Sequence, residues 1–271
     1  MKADLHCHST ASDGTLTPVE LITLAKEQKL SGLSITDHDT IDGYITAVSA
    51  AKEQGIRLGS GIEFSCEHRG HPIHVLGYDY LLTNQEIQDF CKRHQVRRMD
   101  RNYAILEQLA KRGFVIDEKP LFALADTKTI GRPHIAQEMV KRGYVSSIQE
   151  AFTKYLGEGK ACYVSGTPFS IAETIDIIHG AQGKAFIAHP SLLPRKMGIS
   201  EILKFPFDGI ECFYGRFSKD AAQTWLKIAK EKKWLVSGGS DFHGSIKPET
   251  ILGSSYIGQE EFDKIFEHPL T

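Results

Sequence analysis

Apolar positions along the chain keep two rhythms. Short runs suited to buried strands fall at 3–7, 33–36 and 56–62, and between them lie stretches with helical spacing. The first helical stretch opens at Thr17-Pro18-Val19-Glu20. A threonine cap, a proline at the first helical position and a glutamate three residues after the cap form a capping box. Its apolar positions are Val19, Leu21, Ile22, Leu24 and Ala25; it runs to about Leu30, and Gly32 ends it. The second helix spans about 41–54 and closes at Gly55. This β-α-β-α-β order predicts parallel strands joined by crossover helices. Strands at 63–66 and 73–78 follow, around a polar turn through His68, Arg69 and Gly70.

Near Asn84 the pattern changes. A long charged helix is predicted over 87–111, with Cys91, Val96, Met99, Tyr103, Leu106 and Leu109 as its apolar positions. Its run from Lys92 to Arg101 reads as a solvated face. Gly131-Arg132-Pro133 opens a helix to Arg142, and a short one covers 146–155. Residues 84–165 therefore read as an all-helical insertion into a domain made of 1–83 and 166–271. The alternation resumes with a helix at 170–181, a strand at 184–188, a short helix near 198–203 and a strand at 209–213. A helix at 218–232 capped by Ser218, a strand at 234–236 and a short helix at 260–266 complete the chain.

Composition narrows the class. With 41% apolar and 24% charged residues in 271, the chain reads as an ordinary globular protein. Its net charge of −2 gives no field for long duplex nucleic acid. No apolar run reaches the ~18 residues that a membrane span needs, and no charged-then-apolar leader precedes the first strand. The five cysteines, Cys7, Cys66, Cys91, Cys162 and Cys212, are odd in number and far apart. They read as reduced core residues in a cytoplasm-like compartment.

The chemistry begins at Asp4-Leu5-His6-Cys7-His8. On a strand, histidines at i and i+2 point the same way, and Cys7 between them points the other. Alone, such a pair is as well read as surface or core histidine. Here it is joined by Asp13, His38, Glu63, His74, His189, Asp241 and His243, most of them at the ends of predicted strands. In a parallel α/β barrel those ends share one face. Imidazole and carboxylate without sulfur suit Mn, Fe, Zn or Mg. So many donors exceed the four of one tetrahedral site, which implies two metals at least, and three would use the whole set. Clusters of this kind suit phosphoryl chemistry.

Four segments, Asp4-Leu5-His6-Cys7-His8, Thr36-Asp37-His38-Asp39, Ala188-His189-Pro190 and Gly239-Ser240-Asp241-Phe242-His243-Gly244, resemble the motifs of the polymerase-and-histidinol-phosphatase (PHP) phosphoesterases. Ile130-Gly131-Arg132-Pro133-His134-Ile135-Ala136 is similar to the branch acting on nucleoside 3′,5′-bisphosphates and on 5′ ends of short RNAs. The resemblance implies a distorted (β/α)7 barrel with a trinuclear metal site. It implies that His6, His8 and Asp241 hold one metal, that Glu63 bridges it to a second completed by His74 and His189, and that Asp13, His38 and His243 hold the third. Manganese is the preferred metal, with Fe2+, Zn2+ or Mg2+ as alternatives.

Around these ligands, Asp37 and Asp39 read either as groups orienting imidazoles or as caps of the helix near Ile41. Glu211 reads as a ligand-orienting or buried carboxylate. Arg132 and His134 read as a phosphate clamp at a helix start, with His134 the candidate proton donor and a solvated helix terminus as the alternative. Lys160 and Arg195 are further phosphate candidates, with Lys196 and Arg216 behind them. His68, His71, His94, His179 and His268 read as surface or local structure. The expected activity is hydrolysis of the 3′-phosphate of a nucleoside 3′,5′-bisphosphate by a metal-bound hydroxide. Alternatives are 5′→3′ exonuclease action on short RNA, histidinol phosphate hydrolysis, and a non-catalytic metal-binding module. Expected partners are a small phosphorylated nucleotide or a short RNA end.

Overall fold

The computed structural model describes residues 1–123, 129–166, 169–193, 198–215 and 219–268. Seven strands form one sheet in the order of the sequence. They are β1 (Ala3–Cys7), β2 (Gly32–Ile35), β3 (Arg57–His68), β4 (His71–Tyr78), β5 (Lys184–Ile187), β6 (Gly209–Tyr214) and β7 (Leu235–Gly239). The first three strands are mutually parallel, as are the last three. β4 runs against both β3 and β5. Residues beyond β7 return to β1: the Asp241 amide donates to the His6 carbonyl (2.7 Å) and the His8 amide to the Phe242 carbonyl (2.9 Å). A nearly closed, distorted α/β barrel results, as expected. Gly239 permits this closure, because a Cβ there would lie 2.3 Å from the His6 nitrogen.

The helices cover the sheet. α1 (Pro18–Glu27) carries the predicted capping box, with Thr17 accepting from the Glu20 amide. Leu21, Ile22 and Ala25 of α1 pack with Tyr44, Ala47 and Ala51 of α2 (Asp42–Gln54) against Leu33 and Ile35 of β2. Cys7 joins that outer cluster, so it faces away from the histidines beside it. Between β4 and β5 come α3 (Gln85–Ala110), α4 (Glu118–Phe122), α5 (Arg132–Lys141), α6 (Ile148–Ala151) and α7 (Ile171–Gly180). α4 was not foreseen, and the expected helix at 146–155 divides into α6 and a π-helical turn, Phe152–Leu156. The first half of α3 packs on the barrel through Ile87, Phe90 and Cys91. Its second half, through Ile105 and Leu109, builds a separate core with Ile135, Ala136 and Met139 of α5. Short α8 (Ile199–Ile202), α9 (Lys219–Lys232) and α10 (Gln259–Ile265) accompany the later strands. Phe262 and Ile265 of α10 pack in one cluster with Leu5, Tyr78 and Phe186.

The structure alters two readings of the strands. The apolar run at 56–62 and the segment at 63–66 are one twelve-residue strand, β3. Glu63 therefore sits mid-strand, not at a strand end, because pairing with antiparallel β4 carries β3 past the rim of the barrel. Register also slips where β1 meets β2, between Asp4 and Cys7, and where β6 meets β7, between Glu211 and Phe213. Such bulges re-aim side chains, and both lie beside polar residues of the site. Among the described residues, no helix is long and apolar enough to cross a membrane.

Candidate metal centre

Glu63 stands at the middle of the histidines. Its Oε2 lies 3.4 Å from His6 Nε2, 3.1 Å from His8 Nε2 and 3.2 Å from His38 Nδ1. Its Oε1 lies 2.8 Å from His74 Nδ1 and 3.0 Å from His189 Nε2. Asp241 Oδ1 faces His6 Nε2 (3.5 Å), His8 Nε2 (3.4 Å) and His243 Nδ1 (3.4 Å). Asp13 reaches His243 Nε2 at 3.5 Å, His8 Nδ1 at 3.7 Å and His38 Nε2 at 3.8 Å. All the expected ligand residues thus meet in one cluster.

Three sets of donor atoms lie close enough to hold an ion. They are His6, His8, Glu63 and Asp241; His38, Glu63 and His74; and His8, Asp13, His38 and His243. The first matches the grouping that the resemblance implies. The other two differ by the presence of His38 beside Glu63 and of His8 beside Asp13, while His189 joins the cluster through its contact with Glu63.

Surrounding polar groups aim these ligands. Glu211 Oε1 lies 2.9 Å from His6 Nδ1, which leaves Nε2 facing the cluster, and its Oε2 accepts from the His189 amide at 2.6 Å. Asp37 accepts from the Ser9 amide and from the hydroxyls of Ser9 and Ser12, fixing the loop that delivers Asp13. Asp39 accepts from the Ser65 amide and from Arg98. Neither carboxylate caps α2, whose start at Ile41 has no side-chain cap. Asp4 accepts from the amides of His6, Ser240 and Gly253, tying β1 to the end of β7. Tyr214 and Lys247 both donate to Asp241 Oδ2, leaving Oδ1 toward the imidazoles. Asp39, His189 and Asp241 hold positive φ angles (57°, 27° and 56°) at this rim.

The electrostatics fit cations. Burial is the largest influence on Glu63 and opposes its ionisation, yet the imidazoles of His74, His38 and His6 draw its carboxyl well below the usual range. Burial likewise acts against ionisation of Asp241, and Lys247, His243 and His6 outweigh it. Among the histidines the proton affinities diverge. Burial disfavours charge on His8, but Asp241 and Glu63 lift it to about 9. Burial together with the charges of His8 and Lys247 pushes His243 down to about 3. Meanwhile His6 Nε2, His8 Nε2 and His38 Nδ1 are buried without a hydrogen-bond partner. Buried lone pairs directed at shared carboxylates suit divalent ions, and the donor set is nitrogen and oxygen alone.

The cluster forms one wall of a cleft of about 290 Å³. Asp13, His38, His74 and His243 line it together with Arg97, Arg98, Arg101 and Arg132. The arginines of α3 correct the expectation of a solvated face: Arg97, Arg98 and Arg101 are buried. Their spacing of i, i+1 and i+4 places them on one side of the helix, a signal present in the sequence. Lys247 and Tyr214 were also missed, having no motif to mark them. Arg132 donates from Nη1 to the Leu156 carbonyl (3.2 Å) and lies over the rings of Tyr163 and Phe152. His134 is buried, and its Nδ1 accepts from the Gly131 amide (3.0 Å) at the start of α5. Lys160 is exposed and does not line the cleft. Arg195, Lys196, Arg216 and Ser218 lie outside the described residues. His68, His71, His179 and His268 pair locally with Glu201, Glu158, Asp208 and Asp79. His94 is fully buried, stacked on Phe169, with Nδ1 3.1 Å from Asp39 Oδ1.

Known proteins resemble the chain in sequence and in fold. The PHP domain model matches residues 4–112. A 5′-3′ exoribonuclease of Haemophilus influenzae is 38% identical over 89% of this chain and 90% of its own length. A 3′,5′-nucleoside bisphosphate phosphatase of Chromobacterium violaceum is 32% identical over 89% of this chain and 86% of its own. The crystal structure of a Bifidobacterium adolescentis protein assigned as a metal-dependent phosphoesterase superposes with a TM-score of 0.88 at 30% identity, covering 97% of this chain and 94% of that one. Full-length similarity at this level agrees with the barrel and its histidine-carboxylate cluster, and the chain belongs to the PHP family of metal-dependent phosphoesterases, hydrolases of phosphoester bonds.

Proposed function

We propose that the protein removes the 3′-phosphate from nucleoside 3′,5′-bisphosphates. The observation that carries this reading is the buried imidazole-carboxylate cluster opening directly onto an arginine-lined cleft. The relative named as a bisphosphate phosphatase supports it. The cleft volume lies near the lower end of the range for small-molecule sites, which suits a mononucleotide better than a duplex. The helical residues 84–165 act in this reading as an insertion that covers the nucleotide.

His6, His8, Glu63 and Asp241 would hold one metal; Glu63 and His74 with His38 or His189 a second; Asp13 and His243 with His38 a third. Divalent ions there, manganese by preference, would supply Lewis acidity toward phosphate oxygens and lower the pKa of water. Arg132 grips the reacting phosphate with its guanidinium, already oriented by Leu156, Phe152 and Tyr163. His134 Nδ1 accepts from Gly131, so the neutral ring carries its proton on Nε2 and offers it to the departing 3′ oxygen. Five free, buried cysteines fit a reducing cytoplasm as the place of action.

Exonuclease action on short RNA is the second reading, favoured by the name of the 38% identical relative. The test is phosphate release and product analysis on a nucleoside 3′,5′-bisphosphate, 5′-phosphorylated oligoribonucleotides and histidinol phosphate. A nucleoside 5′-monophosphate and phosphate are expected from the first at the highest kcat/KM. Preferential turnover of either other substrate would replace this reading.

A further inference from the structure

The reaction described above leaves unused a second cavity, of about 200 Å³, beside the cluster. Pro72 and Ile73 near the start of β4, and Leu192 and Leu193 after β5, give it an apolar wall. His74 and His189 reach it from the cluster, where both face Glu63 Oε1, at 2.8 Å and 3.0 Å. His74 and Arg132 line the larger cleft as well. The two cavities are therefore neighbours, and a phosphate gripped at His74 and Arg132 lies within reach of both. The apolar wall is firmly held. Leu192 ends the short turn Pro190–Leu192, and its amide donates to the His189 carbonyl (2.9 Å). Ser191 in that turn accepts from the Trp225 indole of α9 (2.6 Å), and the Leu193 amide donates to the Pro190 carbonyl (3.2 Å). Ile73 and Leu193 pack into the barrel core, whereas Leu192 is 53% exposed. An exposed leucine alone means little. One fixed beside two histidines of the cluster offers apolar surface to whatever the site binds.

The chemistry of the lining disfavours a further phosphate there. Among the described residues, Arg132 is the only lysine or arginine that lines the cavity, and it is shared with the larger cleft. Glu158, 2.8 Å from His71, puts a carboxylate at the same place. Like charges repel, so the occupant is neutral and presents an apolar face to the leucines. Glu158 accepts from a hydroxyl or an amino group of that occupant. A nucleoside has these properties, and a cavity of this size suits one ring system rather than a whole second ligand. Covalent connection says which nucleoside. In the proposed reaction the nucleotide occupies the larger cleft, and its 3′ oxygen departs from phosphorus. A phosphodiester at the same place differs by one substituent, the 5′ oxygen of the following nucleoside.

We propose that this cavity receives the nucleoside downstream of the scissile phosphate, so that 5′-phosphorylated dinucleotides and short RNAs are second substrates of the same site. The oxygen of a water bonds to phosphorus, the bond from phosphorus to the 3′ oxygen breaks, and a proton passes to that 3′ oxygen. The products are a nucleoside 5′-monophosphate and a chain that keeps the phosphate on its 5′ oxygen. This rests on the reading of the cluster as the place where the bond between phosphorus and the 3′ oxygen is cut. A bisphosphate has no group for this cavity, so Leu192 and its neighbours set the balance between monoester and diester.

The test compares Leu192→Asp with Leu192→Met in the manganese-loaded enzyme, since an exposed position tolerates both. Two quantities are read. One is the ratio of kcat/KM for a 5′-phosphorylated diribonucleotide over that for a nucleoside 3′,5′-bisphosphate. The other is the calorimetric affinity for a diribonucleotide analogue whose linking 3′ oxygen is replaced by methylene, which is not cut there. Leu192→Asp is expected to lower the ratio and the affinity each by about tenfold or more, and Leu192→Met to keep both near the wild type. Equal changes on both substrates with unchanged analogue affinity would overturn the nucleoside site. Wild-type enzyme that cuts the bisphosphate but not the dinucleotide would overturn it too, while sparing the monoester reading. If the wild type cuts neither but Leu192→Asp still weakens the analogue, the nucleoside site stands and the proposed activity falls.

Discussion

The rim of the barrel and the buried face of α3 are opposite solutions to one problem. Each packs polar groups in the interior that do not satisfy one another. At the rim, Glu63, Asp13 and Asp241 face imidazole nitrogens at 2.8–3.8 Å, with several ring nitrogens lacking a hydrogen-bond partner. On α3, guanidiniums crowd together with one carboxylate, Asp39, among them. The first arrangement has the nitrogen and oxygen donor set of a divalent-metal site, and the second concentrates positive charge. Residues of both line one cleft. A core built for stability alone would have neither, because buried charges left without partners are destabilising.

The rim side of the comparison breaks most severely at its hub. Glu63→Gln is expected to reduce bound metal and to cut kcat/KM by about 10³-fold or more, roughly 4 kcal/mol of lost transition-state stabilisation. Metal analysis beside steady-state kinetics reads both. Acidification should act in the same direction, since imidazoles must be neutral to bind metal. Metal content should fall as pH is lowered from about 8 to about 5.

Next comes Arg132, among the arginines of the cleft. Arg132→Ala should lower kcat/KM by about tenfold to a thousandfold with metal content intact, and unchanged kinetics would make the start of α5 merely structural. Smaller still, Glu211→Gln should weaken metal binding by about tenfold to a hundredfold, through loss of the group that orients His6 and fixes the His189 amide. A competitive chelator titration measures it. Least of all, Ile105→Val, one turn beyond Arg101 in the helical core, should cost about 0.5–1.5 kcal/mol in denaturant unfolding and leave metal content and substrate preference alone.

These features were unequally legible in the sequence. Local signals carried well: the capping box at Thr17, the β-α order and the histidine motifs at strand ends all describe short segments whose spacing is their geometry. Strand direction did not carry. Nothing local gives the direction of β4, which runs against both its neighbours, so Glu63 reads as a strand end although it lies within β3. The division of β3 failed for a related reason, because a continuous apolar run does not show where one partner strand gives way to another. The bulges beside His6 and Glu211 also depend on partners far along the chain. The arginines failed differently. Counting charge along a helix assigns Arg97, Arg98 and Arg101 to solvent, whereas a ligand-binding cleft reverses that rule.

The central claim is that the cluster around Glu63 is a multi-metal phosphoesterase site. Elemental analysis of the purified protein, run beside phosphate release from a nucleoside 3′,5′-bisphosphate before and after chelation, tests it most directly. The account predicts two or three divalent ions per chain, activity lost on chelation and restored by adding manganese. Protein that holds no divalent metal and releases no phosphate from any substrate on the panel would contradict it.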